Sequence, residues 1–248
     1  MKDNIYYSKD IEYFFDKIVN NAHFKYARYN DGELIAIIGV TPDKANIDEH
    51  QYFPQMSIDL KNALLQYKKS EDYILVSQIG WYNYKTTYKS IIDEITTINT
   101  DVQFLDKCFI SHSHYKDYLN FIKFIELIKT KNVVIVGTYY LGNMSRIFPN
   151  FKYIEVPLKN CYLKKKEVIN SIIELNKITK NNYFLFSASM ATNAIIDVFK
   201  NDTENTYLDC GAVWDTFFIS PEYNFIKKRT PCKQNQERLN EVYKEYLF

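Results

Sequence analysis

The chain has 248 residues, and its 31 Lys and Arg residues against 30 Asp and Glu residues give a formal net charge of +1. This balance argues against a dedicated nucleic-acid-binding protein, because such proteins usually carry a basic excess. Six glycines, where a globular chain of this length averages about 17, exclude collagen-like and glycine-rich disordered chains. Since 46% of the residues are hydrophobic, we expect one large core.

Targeting signals and cysteine spacing bear on the compartment. The first 15 residues lack the apolar run of a signal peptide, and no apolar stretch approaches the roughly 18 residues needed to span a bilayer. The cysteines are far apart and form no CxxC motif, which favours reduced thiols over a zinc site or a disulfide framework. They are Cys108, Cys161, Cys210 and Cys232. We therefore expect a cytoplasmic protein without a transmembrane segment. Peripheral membrane association and homo-oligomerisation stay open.

Hydrophobic periodicity predicts helices and strands in alternation. An amphipathic helix is predicted over 11–21, a short strand over 24–29, a helical run over 34–38 and a helix over 55–68. The alternation then becomes regular. Further strands are predicted at 73–78, 102–106, 132–137, 151–156, 183–188 and 206–210, with an extended segment at 108–111. Further helices are predicted at 84–97, 115–130, 141–147, 164–178 and 190–200.

The order of these elements predicts the fold class. Residues 132–137 are apolar on both faces, which is typical of a strand inside a parallel sheet. Six or seven strands alternating with helices indicate an α/β, Rossmann-like fold with a mostly parallel sheet flanked by helices. We expect residues 1–216 to form a single α/β domain. Residues 217–248 are predicted to form a C-terminal extension that packs on it and ends in a helix from about Gln234.

Polar and small residues follow the predicted strands. Ligands of an open parallel sheet bind at the carboxyl ends of its strands. The segments at those ends are Asp31–Glu33, Gly80–Trp81, His112–His114, Gly137–Asn143, Ala188–Thr192 and Asp209–Asp215. Five of the six glycines, all except Gly39, fall in these turns. The pattern predicts that the functional groups converge on one edge of the sheet.

Asp31-Gly32-Glu33 is the most informative of these segments. Two carboxylates separated by one glycine suit a hard divalent cation such as Mg²⁺ or Mn²⁺. The alternative is an ordinary helix start, with Asp31 as the N-cap and Glu33 near the positive end of the helix. Spacing alone leaves both interpretations open.

Other candidate groups carry weaker signals. Ser187, Ser189 and Thr192 surround a predicted helix N-terminus, where free N–H groups and hydroxyls suit phosphate, or where they only cap the helix. Asp209 and Asp215 could supply a base or a second metal contact, or could be turn residues.

Two further clusters are ambiguous. His112 and His114 form an HxH pair that could bind a metal or be solvated in a loop. Lys227, Lys228, Arg229 and Lys233 could bind a diphosphate or form a solvated charge run.

Four ordered segments resemble a known family. Ala27–Leu34 resembles the Arg-aromatic-Gly-Asp-Gly-Glu signature of GT-D type glycosyltransferases. Val133–Gly137 with Leu141–Asn143 is similar to the central strand and glycine turn of that family. Leu185–Thr192 and Tyr207–Ala212 resemble its later segments. The resemblance covers roughly residues 24–218.

The segments also depart from the family pattern. Asn30 replaces a glycine of the signature, a change that asparagine tolerates because it also adopts positive φ. Ser187-Ala188-Ser189 stands where the family has Gly-Pro. Ala212 stands where the family often has histidine, so any role of that histidine is absent or moved.

The resemblance implies a metal-dependent transferase of polysaccharide biosynthesis that uses Mn²⁺ or Mg²⁺. It implies a nucleotide-sugar donor, with a UDP-sugar as the first candidate, and a glycan or glycoconjugate acceptor. Asp31 and Glu33 would then lie at the metal and the diphosphate as catalytic residues, with Asp209 or Asp215 as the base. The predicted donor-binding residues are Arg28, Gly32, Gly80, Trp81, Gly137, Gly142, Asn143, Ser187, Ser189 and Thr192.

Two other functions stay open at this stage. A metal-dependent phosphoesterase would use Asp31, Glu33, His112, His114 and Asp209 around two metal ions. A non-catalytic α/β domain that binds a nucleotide or a partner would need no metal.

Overall fold

Eight parallel strands form one sheet in the part of the chain that the computed structural model describes, residues 5–39, 50–78, 86–218, 220–223, 233–242 and 244. The strands are β1 (Tyr6–Tyr7), β2 (Lys25–Arg28), β3 (Tyr73–Val76), β4 (Phe104–Leu105), β5 (Asn132–Thr138), β6 (Lys152–Val156), β7 (Asn182–Ser187) and β8 (Thr206–Asp209). Their order is β1-β4-β3-β2-β8-β7-β5-β6, and every pair is parallel. The predicted parallel α/β sheet is confirmed, with eight described strands instead of six or seven.

Helices cover both faces of the sheet. They are α1 (Ile11–Val19), α2 (Asp31–Ile38), α3 (Pro54–Leu65), α4 (Thr86–Ile98), α5 (Tyr115–Ile128), α6 (Lys165–Ile178), α7 (Ala191–Ile196) and α8 (Lys233–Val242). Short 3₁₀ segments span Tyr139–Arg146, Cys161–Lys164, Asp197–Phe199, Val213–Phe217 and Pro221–Tyr223. No helix in the described ranges is both long and apolar enough to cross a membrane.

Two hydrophobic cores lie on the two faces, because alternate residues of each strand point in opposite directions. One core joins Ala27, Phe184 and Tyr207 to helices α2, α3, α4, α6 and α7. The other core joins Tyr26 and Leu208 to α1, α5 and the 3₁₀ segments at 139–146 and 213–217. A strand such as β3 is therefore buried on both sides, as its run of apolar residues predicts.

The described part of the C-terminal extension contacts the second core. Tyr223 is buried and packs against Phe218 at a ring-centroid distance of 5.0 Å. In α8, the buried Asn235 donates a hydrogen bond to the backbone carbonyl of His112 at 3.0 Å. The predicted division at residue 217 falls inside the 3₁₀ segment Val213–Phe217 and stays a prediction.

Three local predictions differ from the structure. Residues 108–111 form bends and coil, not an extended strand. The helix predicted over 141–147 is a 3₁₀ segment over 139–146. The strand β1 was missed, because two residues are too few to establish an alternating pattern.

The side chain of Asn99 caps the C-terminal end of α3, where the connection to β3 begins. Its side-chain amide donates to the backbone carbonyls of Leu64, Leu65 and Tyr67 at 2.9, 3.1 and 2.9 Å. The last carbonyls of a helix have no partners within the helix, so a side chain must satisfy them when water does not.

We expect Asn99→Ala to lower the free energy of unfolding by about 1–3 kcal/mol, because it removes the partner of these carbonyls. The matched control is Thr97→Ala, whose exposed hydroxyl bonds only the Asp93 carbonyl of its own helix. That control should stay within about 0.5 kcal/mol. Urea denaturation measures both, and equal losses would contradict the capping role of Asn99.

Candidate functional site

A topological switch point lies at the junction of β2 and β8. After β2 the chain enters α2 on one face of the sheet, whereas after β8 it enters the 213–217 segment on the other face. Neighbouring strands whose connections leave in opposite directions open a crevice at their carboxyl ends, and ligands of open α/β sheets bind there. The register Tyr26↔Leu208 places Arg28 and Asp209 together at this point.

A buried ion pair joins the two strand ends. Arg28 Nη2 donates to Asp209 Oδ1 at 3.0 Å, with side-chain exposures of 15% and 7%. The backbone N–H of Gly211 donates to the same oxygen at 3.0 Å. Two donors therefore orient Asp209 through Oδ1, and Oδ2 has no hydrogen-bond partner among the described residues. The pKa of Arg28 is raised well above its ordinary value by this carboxylate and by Cys108, against the opposing effect of its burial.

Gly211 must be glycine for two reasons. Its φ is +54°, in the left-handed region that side chains disfavour. A Cβ atom there would lie 1.8 Å from Arg28 Nη2. The guanidinium occupies the space that a side chain would need.

Asp31 and Glu33 lie in the first turn of α2. The N-cap is Asn30, so the alternative that Asp31 caps the helix is wrong. Glu33 Oε2 accepts a hydrogen bond from the Asn30 backbone N–H at 3.0 Å, as in a capping box. Gly32 packs against Met190, whose Cγ would be 3.3 Å from a Cβ at this position.

Glu33 carries the clearest electrostatic anomaly of the site. Burial of its carboxyl, with the negative charge of Asp209 as the next cause, raises its pKa to about 7. The Asn30 N–H and Arg28 act in the opposite direction. Negative charge at Asp31 and Glu33 also contributes, after burial, to raising the pKa of Tyr52 to about 12. The carboxylates of Glu33 and Asp209 thus both interact with one described cation, Arg28.

A divalent cation fits this charge distribution. Carboxylate oxygens are the ligands that Mg²⁺ and Mn²⁺ prefer, and Mg²⁺ typically takes one or two of them with water and phosphate oxygens. No group of three or more His, Cys, Asp or Glu side chains within the described residues is arranged to hold a metal. Any cation here would therefore need oxygens from water or a bound diphosphate besides Asp31 and Glu33.

The β7 side of the crevice contains the predicted phosphate-binding hydroxyls. Ser187 Oγ donates to the Gly211 carbonyl at 2.5 Å, which ties the end of β7 to the β8 turn. Ser189 has a φ of +54°, an unusual value for serine, and its carbonyl accepts from the Thr192 N–H. Thr192 is buried in α7. The structure brings these residues to the crevice edge, and their role toward phosphate stays a prediction.

Several buried polar atoms near this edge have no hydrogen-bond partner among the described residues. They are Arg28 Nε, Tyr29 OH, Ser77 Oγ, Thr192 Oγ1 and Asn193 Oδ1. Buried polar groups in native proteins are nearly always hydrogen-bonded, so each exception needs a reason. Asn193 also donates from Nδ2 to the Arg28 carbonyl, so it links α7 to the end of β2.

Other predicted donor-binding residues lie around β5. Gly137 is inside β5, where a Cβ atom would lie 2.5 Å from Leu141 Cδ1. Gly142 packs against the ring of Tyr153 in the same way, at 3.3 Å. Asn143 is exposed and donates to the Tyr223 hydroxyl at 3.2 Å. Packing explains both glycines without a ligand.

Asp215 is separated from the ion pair. It is buried, and its Oδ1 accepts a hydrogen bond from the Tyr140 hydroxyl at 2.9 Å. Its 3₁₀ segment belongs to the core on the α5 face. Of the two predicted bases, Asp209 is therefore the one that lies between Arg28 and Glu33.

His112 and His114 belong to no group of three or more potential metal ligands among the described residues, and His112 is buried instead of solvated. His112 is buried beside Phe121 at a ring-centroid distance of 6.0 Å, and the exposed His114 is the N-cap of α5. Gly80 and Trp81 lie in 79–85, outside the described residues, as do Lys227, Lys228 and Arg229. Lys233 begins α8 and is exposed.

Sequence reasoning missed three contributors to the site. They are Tyr52, Cys108, whose Sγ lies 3.8 Å from Arg28 Nη1, and Asn193. Asn193 directly follows a predicted site residue, and its polar side chain on a buried helix was a usable signal. Tyr52 and Cys108 come from connections, which carry no periodic pattern.

Comparison with solved structures identifies the fold. No protein-family model matches the chain, and no curated protein matches it. Two solved structures of the domain of unknown function 1792 match over 98% of this chain and 95% of theirs, each with 15% identity. One is a selenomethionine-substituted form, with a TM-score of 0.62. The other, with a TM-score of 0.63, is described as having a distinct glycosyltransferase fold.

The chain has this glycosyltransferase fold. The resemblance to the GT-D type is thereby confirmed at the level of the fold. At 15% identity, the match carries no residue assignments.

We expect Gly211→Ala to lower the free energy of unfolding by roughly 3–5 kcal/mol, because the new methyl group displaces Arg28 and leaves a buried charge unpaired. The control is Gly39→Ala, which has a φ of +81° but nothing within 4 Å of a Cβ, so only backbone strain of about 1 kcal/mol applies. Urea denaturation measures both. Equal losses would mean that contact with Arg28 does not constrain residue 211.

Glu33 should make stability depend on pH. A carboxyl whose pKa rises from 4.5 in the unfolded chain to about 7 in the folded one binds more protons when folded, so stability falls as pH rises through this window. Glu33→Gln removes this loss, because the amide oxygen can still accept from Asn30. Relative to wild type, the variant should gain roughly 1–3 kcal/mol between pH 5 and pH 8.

The control for this measurement is Glu126→Gln on the exposed face of α5. This exposed side chain pairs with Lys129 at 2.8 Å, and its substitution measures the general effect of a Glu→Gln change at the surface. Denaturation midpoints from pH 4.5 to 8.5 give the comparison. If the stability difference between Glu33→Gln and wild type does not change with pH, folding does not raise the pKa of the Glu33 carboxyl.

Proposed function

We propose that the protein is a metal-dependent glycosyltransferase that moves a sugar from a nucleotide-sugar donor to a glycan or glycoconjugate acceptor. One observation carries the proposal: the carboxylates of Glu33 and Asp209 interact with Arg28, and Asp31 lies in the same helical turn as Glu33, at the switch point of a glycosyltransferase fold. This uncompensated negative charge suits a divalent cation with an anionic donor.

Charge development decides what the residues must do. The leaving nucleotide diphosphate gains negative charge during transfer, and groups fixed in advance stabilise such charge most effectively. A Mn²⁺ or Mg²⁺ ion held by Asp31 with Glu33 would neutralise the diphosphate oxygens. Glu33 would then have two roles. It accepts the hydrogen bond from the Asn30 N–H at the start of α2, and it binds the ion, which compensates its negative charge.

Asp209 is the base that we propose. Arg28 and the Gly211 N–H fix one carboxylate oxygen, which leaves Oδ2 to accept a proton from the acceptor hydroxyl. A positioned base contributes typically 10²- to 10⁴-fold to the rate. Asp215 is disfavoured because its carboxylate accepts from Tyr140 in the opposite core.

The phosphoesterase alternative draws no support from the described residues. His112 and His114 form no group with Asp31, Glu33 and Asp209 that could hold a metal. Two carboxylates in one helical turn suit one metal ion whose remaining ligands are oxygens of the donor better than they suit a two-metal site.

The test is a thermal-shift panel of UDP-, GDP- and CMP-sugars with Mn²⁺, with Mg²⁺ and with a chelator. One donor at 100 times its dissociation constant should stabilise the folded chain by about 2.7 kcal/mol when the metal is present. Asp31→Asn should lose this gain, because it removes a ligand on the half-buried rim of the crevice. Asp209→Asn should keep the gain but lower turnover of the same donor by roughly 10²- to 10⁴-fold.

Glu126→Gln is the control and should behave as wild type. The proposal fails if no nucleotide changes the melting temperature in Mn²⁺. It also fails if Asp31→Asn combined with Glu33→Gln retains full transfer activity.

A further inference from the structure

A second cavity of about 490 Å³ lies away from the crevice, at the β1–β4–β3 side of the sheet. Its lining residues are Tyr7, Lys9, Tyr13, Phe14, Tyr67, Lys69, Ser70, Glu71, Ile74 and Gln103. Residues 69–71 precede β3 and Gln103 precedes β4, so this rim lies at the amino ends of those strands. No lining residue belongs to the site at β2 and β8.

We propose that this cavity binds a neutral oligosaccharide. The cavity falls within the size range of small-molecule sites, about 300–1,000 Å³. The ligand class follows from the chemistry of the wall and the rim.

The wall is mainly aromatic. The partly exposed Tyr7 and Tyr13 supply ring surfaces, and the buried Phe14, Tyr67 and Ile74 form the apolar layer behind them. Sugar rings carry apolar C–H faces that pack on aromatic rings, while their hydroxyls point outward to polar groups. Burial and the neighbouring Tyr13 raise the pKa of Tyr7 to about 12, so its hydroxyl stays protonated at neutral pH.

Hydrogen bonds fix the wall on the α3–β3 side. The Tyr67 hydroxyl donates to the Tyr73 carbonyl at 2.7 Å, and Ser70 Oγ accepts from the Tyr73 N–H at 3.0 Å. The Tyr67 and Tyr73 rings meet edge to face at 5.4 Å. Asn99 holds the Tyr67 carbonyl. This side is therefore preformed, which lowers the entropy cost of binding.

Stacked rings fix the opposite wall on α1. Phe14 lies parallel to Phe109 at a centroid distance of 4.4 Å. The Lys9 ammonium lies 4.5 Å from the centroid of the Tyr13 ring. The cavity thus lies between two ordered walls.

Lys9 lies over the Tyr13 ring, so the polar groups that the rim leaves for a ligand include those of Lys69, Glu71 and Gln103. Lys69, Glu71 and Gln103 lie outside all hydrogen bonds and ion pairs of the described residues. An ammonium, a carboxylate and an amide together match hydroxyl groups, which both donate and accept. A nucleoside diphosphate would meet Glu71, and a polycation would meet Lys9 and Lys69. Neither the lysines nor the glutamate repels a neutral ligand with many hydroxyl groups.

This site would hold the acceptor glycan at a second point, an extension that depends on the proposed function. Binding at two points raises the effective concentration of the acceptor at the transfer site without any new contact there. The binding of oligosaccharide itself does not depend on catalysis and can be measured alone.

The experiment is saturation-transfer NMR and calorimetric titration of the full chain with maltotetraose, chitotetraose and tetragalacturonate. We expect at least one neutral probe to bind and the acidic probe to bind more weakly. Glu71→Ala, Lys69→Ala and Gln103→Ala should each weaken binding about 3- to 10-fold, the effect of one or two lost hydrogen bonds. These side chains have no described partners, so the variants should fold normally.

Lys68→Ala is the matched control, because Lys68 is exposed and adjacent in sequence but does not line the cavity. It should bind the probe as wild type does. The inference is overturned if no neutral probe binds with a dissociation constant of about 1 mM or lower. It is also overturned if tetragalacturonate binds best, or if Lys68→Ala weakens binding as much as Glu71→Ala.

The two proposals fail separately. The rim variants should keep the full thermal shift produced by the nucleotide sugar in Mn²⁺. If the wild-type chain binds none of the neutral oligosaccharides but shows the thermal shift with the nucleotide sugar, only the second site is refuted. A missing donor shift with oligosaccharide binding intact refutes only the transferase.

Discussion

The ion pair between Arg28 and Asp209 is the constraint on which the site depends. It joins the carboxyl ends of two adjacent strands, requires glycine at position 211 and leaves one Asp209 oxygen without a described partner. Through Asp209 it also influences Glu33, whose carboxyl shares the same enclosed region. Replacing a buried ion pair by apolar residues is often neutral or stabilising. The value of this pair therefore lies in the oriented charge it provides rather than in stability.

Most of the fold could be predicted from the sequence, because long periodic segments dominate it. The buried strand at 132–138 and the amphipathic helix at 115–128 are examples, because their apolar residues follow one period over seven or more positions. The two-residue strand β1 could not be predicted, since its pairing depends on β4 nearly 100 residues away. At residues 108–111 the sequence predicted an extended segment that the structure lacks. This apolar run is a buried connection with Phe109 and Ile110 in the core.

The site was predictable in part, and the reason is topological. Residues that follow parallel strands meet at one edge, so Arg28, Glu33, Ser187 and Asp209 could be grouped before any coordinates were known. Which glycine serves the site could not be predicted. Gly137 and Gly142 make room for Leu141 and Tyr153, whereas Gly211 makes room for Arg28. The opposite location of Asp215 was equally hidden, because six residues after β8 the chain already lies on the other face.

The position of β8 has a consequence for the order of folding. This strand lies between β2 and β7, yet it comes after the other seven described strands along the chain. During synthesis the two halves of the sheet emerge first, with no strand to join them. Contacts so distant in sequence form slowly, because the chain must close a long loop before they contribute. Until residues 206–209 leave the ribosome, Arg28 has no carboxylate partner, and the crevice does not exist. The protein therefore completes its sheet and its site in a single late step.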